Sequence, residues 1–212
     1  MRDSGDVTHS PEKGSARNRA TALCGPPVPP SPANALPSAA VPEEYFTARD
    51  GDSSVVGDIR HFPVLIATWF GEPTEPLVRA YFEWSDAVAR DAFERGQRYV
   101  IISDNAHALR PSPTVRKLIS TLIDEGPAAE TDRVITSFVV FESALVRGAV
   151  TAMQWLSRKD WNLTTSATVQ QAVAGALTAL KQHGLPIPAR LSSSTYVTPE
   201  APTGPQLAGA RR

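Results

Sequence analysis

Residues that usually announce chemistry are scarce in this chain. Its 212 residues include one cysteine, Cys24. A single thiol makes no internal disulfide and no cysteine zinc cluster, which points to a reducing compartment. The four histidines, His9, His61, His107 and His183, are scattered and have no ligand-type spacing, so neither a metal nor another cofactor is expected. Surplus charge is missing as well. A net charge of −1 provides no basic field of the kind that draws nucleic acid or an anionic membrane surface. No apolar run approaches the ~20 residues that span a bilayer, and the N-terminus carries charges without an apolar signal core. Neither phosphate-cradling glycine pattern, G-x-x-x-x-G-K-[ST] or G-x-G-x-x-G, occurs. The expectation is a soluble cytoplasmic protein with no membrane span, no nucleic-acid partner and no cofactor.

Proline is plentiful but confined. Of 19 prolines, only Pro63, Pro73, Pro76, Pro111, Pro113 and Pro127 lie between Pro42 and Leu185. All four tryptophans, Trp69, Trp84, Trp155 and Trp161, fall in that same interval. This predicts a proline-rich disordered arm over 1–55, one folded domain over 56–185, and a disordered tail over 186–212. The arm's run from Pro26 to Pro32 favours polyproline II, although a plain flexible tail has the same composition.

Inside the domain the hydrophobic period alternates. A short edge strand is expected at Val56–His61, followed by a strand at Val64–Phe70 that is apolar on both faces and so buried between layers. Leu77, Tyr81, Trp84 and Val88 then recur at helical spacing. Thr74 is the expected N-cap, Pro76 lies in the first turn, and Gly96 marks the end. A strand over 98–103 leads into a polar loop, 104–111. Ser112-Pro113 opens a second helix, with Val115, Leu118, Ile119, Leu122 and Ile123 on its apolar face. Val134–Phe141 is a third interior strand. Ser143 caps a third helix that turns Leu145, Ala149, Ala152, Met153 and Leu156 inward. A short strand at Trp161–Thr164 precedes a last helix, which opens on the capping-box spacing of Thr168 and Gln171 and closes at Gly184. The order β-β-α-β-α-β-α-β-α predicts an α/β fold: a mostly parallel sheet of about five strands with four amphipathic helices.

Three segments carry a resemblance: VLIATWFG leading into a helix, YVIISD followed by a loop and helix, and FVVFESALVRGAVTAMQWL followed by a short strand and TVQQAVAGAL. Their order and residue classes resemble the STAS-like domain of anti-sigma-factor antagonists and of STAS/SEC14-type bacterial proteins, over roughly residues 56–184. The resemblance implies a non-enzymatic regulatory domain that binds a protein partner, such as a kinase or regulator, through the loop and helix start after the middle strand. The residues so placed are Asp104, Asn105, His107, Arg110, Ser112, Thr114 and Arg116. The family's phosphorylated serine matches Ser112, or alternatively Thr114. Here Arg110-Pro111-Ser112-Pro113-Thr114 replaces the family's Asp-Ser-Ser-Gly pattern, so a proline follows the serine directly.

Each of these residues also has a plainer reading. Ser112 suits an N-cap, worth about 1 kcal/mol, and as a phosphosite it would place its charge on the helix N-terminus near Arg110 and Arg116. Asp104 and Asn105 suit local Asx hydrogen bonds. Asp104 with His107 is the only pairing that hints at acid–base work, and it lacks a nucleophile to serve. Trp155, beside Arg147 and Gln154, suits the edge of the core. A lipid-binding domain of the STAS/SEC14 kind is the first alternative function, and an enzyme using Asp104 and His107 the second.

Overall fold

A computed structural model describes residues 42–126, 132–148 and 162–203, all within the compact unit Ser38–Arg212. Six strands form one sheet in the order β1-β2-β3-β4-β5-β6. They are β1 (Tyr45–Asp50), β2 (Ser53–Asp58), β3 (Val64–Gly71), β4 (Tyr99–Ala108), β5 (Val134–Val140) and β6 (Leu163–Ser166). The first two pairings are antiparallel and the three from β3 to β6 are parallel. The α/β class and the mostly parallel sheet therefore hold. Helices α1 (Glu75–Glu94), α2 (Pro113–Glu125) and α3 (Val169–Gln182) pack on it, and residues 144–148 begin a further helix. Among the described residues no helix is long and apolar enough to cross a membrane.

The extra strand corrects the expected boundary. Residues 45–50, assigned by sequence to a disordered arm, pair along their whole length with β2. The cause is a two-residue hairpin loop, Gly51-Asp52, with Gly51 at φ 60°, a conformation glycine adopts at no steric cost. Phe46 and Ala48 then turn to one face and supply its packing. Trp84 of α1 fastens this hairpin. Its ring stacks on Phe46 at 5.4 Å, its Nε1 donates to the Glu43 carbonyl, and it lies against Gly57 so closely that a Cβ there would fall 2.5 Å from the ring.

The two faces have separate cores. Leu65, Ala67, Trp69 and Tyr99 of the sheet pack beneath α1 and α2, where Val115 of α2 joins them. Val64, Ile66, Val100, Ile102, Phe138 and Val140 pack beneath α3, through its buried stripe Val169, Ala172, Val173, Ala176 and Leu180. The α1 stripe holds as read, with Leu77, Trp84 and Val88 buried. Both α1 and α3 end as expected, with the N–H of Gln97 reaching back to Ala92 and that of Leu185 to Leu180. Thr168 caps α3 by accepting from the Gln171 N–H, while the Gln171 side chain accepts from Ala167. Thr74 occupies the N-cap position of α1 as expected, but its side chain makes no capping bond. Its hydroxyl donates instead to Asp50 at 2.7 Å, tying α1 to the β1–β2 turn.

Two other expectations change. The tail begins later than 186, because Leu191 is 4% exposed and completes the core under α3, with Leu185 and Tyr196 packed against it. Backbone turns carry the segment, Leu191 N–H to Pro188 and Tyr196 N–H to Ser192, so its prolines stop helix formation without stopping packing. Leu145, expected inward, is 84% exposed. Ser143 caps that helix start by accepting from Val146, and Arg147 donates to the carbonyls of Phe141 and Glu142. The remaining residues of the expected third helix, Ala149, Ala152, Met153, Gln154, Trp155 and Leu156, lie outside the described residues, as does Trp161.

Candidate functional site

Strand β4 is longer than the sequence suggests, and this rearranges the candidate residues. Asp104, Asn105 and His107 belong to the strand rather than to a loop. Hydrogen bonding across to β3 continues through Gly71 opposite Ala108, with a register shift between Thr68 and Phe70. After Ser103, the polar pair Asp104-Asn105 reads as the start of a loop because polar residues usually leave a sheet. Here each finds a partner within it.

Asp104 is fully buried, with Oδ1 accepting from the Ala106 N–H at 3.1 Å and Oδ2 from the Thr198 hydroxyl at 3.2 Å. The first of these is the expected Asx bond. The second comes from the segment that sequence assigned to the tail. Among the described residues no cation pairs with this carboxylate. Asn105 is half-buried and donates to the carbonyl and hydroxyl of Ser103. His107 is exposed and stacks flat on Phe70, with centroids 5.6 Å apart, and no hydrogen bond joins it to Asp104 among the described residues. Asp104 is thus sealed from a partner, and His107 stands apart from it.

Beyond Ala108 the chain emerges as an exposed rim. Leu109 is 65% exposed, and Arg110, Thr114, Arg116 and Lys117 are exposed around it. Ser112 is half-buried and its Oγ accepts from the Val115 N–H at 3.3 Å, which is the N-cap role. Arg116 Nη1 donates to the Pro111 carbonyl, bracing the turn. No carboxylate pairs with Arg110, Arg116 or Lys117 among the described residues. The first turn of α2 carries no acid either. Cations and helix-end N–H groups therefore add to one positive edge with an apolar residue in it.

Register shows a second polar region. Cross-strand partners share a face, so the pairings Asp58–Ile66, Val56–Thr68, Ser54–Phe70 and Thr68–Asp104 place Ser54, Asp58, Thr68 and Asp104 on the α3 side. All four are nearly or wholly buried. Asp58 holds Arg60 by three hydrogen bonds: from its backbone N–H at 2.9 Å, from Nε at 3.0 Å and from Nη2 at 2.7 Å. The guanidinium also lies 4.4 Å over the Tyr45 ring. Tyr196 stands edge-on to His61, and its hydroxyl pKa is pushed well above the usual phenol value by burial, reinforced by the charges of Asp58 and Asp104. None of Asp58, Arg60, Arg190 and Tyr196 stood out in the sequence. The alternation of Asp58 and Arg60 about Ile59 was the one available signal, because i and i+2 share a side of extended chain.

Among the described residues no three of His, Cys, Asp and Glu come together as a metal would require. A cleft of about 270 Å³ opens beside Asp58 and Tyr196, and another of about 360 Å³ between β5, β6 and α3 beside Thr136, Asn162 and His183. Comparison with protein-family models, with curated proteins and with solved structures finds no match to this chain. The class defined by fold and site is accordingly structural: a mixed six-stranded α/β domain with a cationic rim at the carboxyl end of its middle strand.

Proposed function

We propose that this chain is a non-enzymatic regulatory domain of STAS type that binds an acidic protein surface through the rim from His107 to Lys117. The observation that carries the reading is that rim itself: Leu109 is 65% exposed, and Arg110, Arg116 and Lys117, exposed on the same short stretch of chain, have no carboxylate partners among the described residues. Aromatic and apolar anchors ringed by charge suit a protein interface, and the charge selects an acidic partner. The position supports the reading too, since α/β proteins gather recognition at the carboxyl ends of parallel strands. Within this proposal Asp104 and Asn105 stiffen the strand beneath the surface, while His107, Arg110, Thr114 and Arg116 make contact. Ser112 caps α2. A phosphate on its hydroxyl would compete with that cap and neutralise the adjacent cations, so modification would weaken an acidic partner's hold.

Charge reversal tests the surface. Wild-type chain and the variant Arg110→Glu/Arg116→Glu serve as bait in the native host, with Lys181→Glu on α3 as control. Partner recovery should fall at least tenfold for the double variant and stay level for the control. Equal recovery by all three would refute the rim as the interface. Ser112→Asp should lower recovery severalfold while the helix keeps its cap.

A further inference from the structure

The cleft of about 270 Å³ is walled on one side by Asp58, Arg60 and His61, and on the other by Arg190, Thr195, Tyr196, Val197 and Pro199. Its chemistry is lopsided. Asp58, 4% exposed, is the one carboxylate in the wall, and it already accepts three hydrogen bonds from Arg60. That grip uses Nε and one N–H of Nη2, and among the described residues Nη1 has no hydrogen-bond partner. Arg190 is exposed at the cleft edge, and among the described residues neither a carboxylate nor a hydrogen bond engages it. The hydroxyls of Thr195 and Tyr196 likewise have no hydrogen-bond partner among the described residues, and Tyr196 stays protonated as a donor. His61, also in the wall, has a buried Nδ1 with no hydrogen-bond partner among the described residues. Buried polar atoms are nearly always satisfied in a folded protein, and exceptions gather at binding sites.

We propose that this cleft binds a small oxyanion, the phosphate or carboxylate group of a soluble ligand. Two guanidiniums and two hydroxyls line the cleft; the only carboxylate there, Asp58, is already engaged by Arg60, and an oxyanion supplies several acceptor oxygens at once. Arg60 is preorganised for the role by Asp58 and by the Tyr45 ring, so little side-chain freedom is lost on binding. A bound anion bridges the β2–β3 turn to the segment 190–199 and thereby pins that segment to the sheet. The proposal is independent of the rim at α2, which shares none of these residues.

The test is a titration of the full-length chain followed by amide NMR, with inorganic phosphate and citrate as separate probes and sodium chloride holding ionic strength constant. At least one probe should give saturable shifts at Arg60, His61, Thr195 and Tyr196, together with slowed hydrogen exchange over 190–199. Arg190→Gln, at an exposed and unpaired position, should raise Kd at least tenfold without changing Tm, and Tyr196→Phe should raise it severalfold. Saturation by phosphate alone assigns a phosphoryl ligand, and by citrate alone a carboxylate. Linear, non-saturating shifts with both probes, or saturation that Arg190→Gln leaves intact, would overturn the site.

Discussion

Asp104 shows how a residue's role depends on length of strand rather than on residue type. Its sequence neighbours are polar, so it reads as a loop residue, yet β4 runs for ten residues, pairs on both sides through Asp104 and resumes pairing with β3 at His107, which carries it into the interior. The Asx bond was legible because it is local. The Thr198 hydroxyl, 94 positions away, was not. Tyr196 belongs to the same group of long-range partners and gives a pH signature. Burial and the nearby carboxylate charges disfavour its phenolate, so the folded pKa lies above the unfolded value of about 10. Its contribution is complete below about pH 10 and is lost as pH rises from there toward the folded pKa. Tyr196→Phe should therefore flatten the fall in stability above pH 10, measured as urea midpoints at pH 8 and pH 11. Tyr81, raised by its own burial, supplies the part of the slope that persists. A slope as steep in the variant as in wild type would show that Tyr196 ionises without resistance.

At the scale of elements, local signals were read well and long-range ones poorly. Helices α1, α2 and α3 announce themselves through apolar period and end signals, and Ser112 and Thr168 cap where spacing placed them. The β1–β2 hairpin does not stand out in the sequence because residues 45–55 adjoin the proline-rich arm, although a glycine turn between two alternating stretches is a hairpin signal. Trp84 then couples hairpin to helix across Gly57. Gly57→Ala should cost about 1–3 kcal/mol in denaturant unfolding, because the ring has to leave its stack on Phe46 to admit a methyl group. A neutral substitution would mean that the hairpin is not fastened there. The segment after α3 offers a similar contrast. Leu191 fills the core under α3, so Leu191→Ala should destabilise the domain by about 2–5 kcal/mol, whereas a disordered tail would register no change in chemical denaturation.

For the whole molecule, the alternation of strand and helix was enough to indicate a parallel α/β sheet, since each crossover requires a covering helix. The edge strand β1 and the covering segment are not legible, because their burial is decided by partners far along the chain, whereas the short edge strand β6 overlaps the one expected at Trp161–Thr164. The result is a sheet whose α3 side holds a polar cluster beneath residues 190–199, and whose middle strand runs out into a cationic rim. The Asp104–Thr198 hydrogen bond ties the strand below the rim to the cover, and the two proposed sites share no residue, so they can be examined separately. Hydrogen–deuterium exchange on the complex with a partner recovered from the native host tests the rim most directly. Protection concentrated over residues 107–118, and absent from the Arg110→Glu/Arg116→Glu variant, is the predicted result. Protection confined to other surfaces, with residues 107–118 exchanging as in the unbound chain, would contradict it.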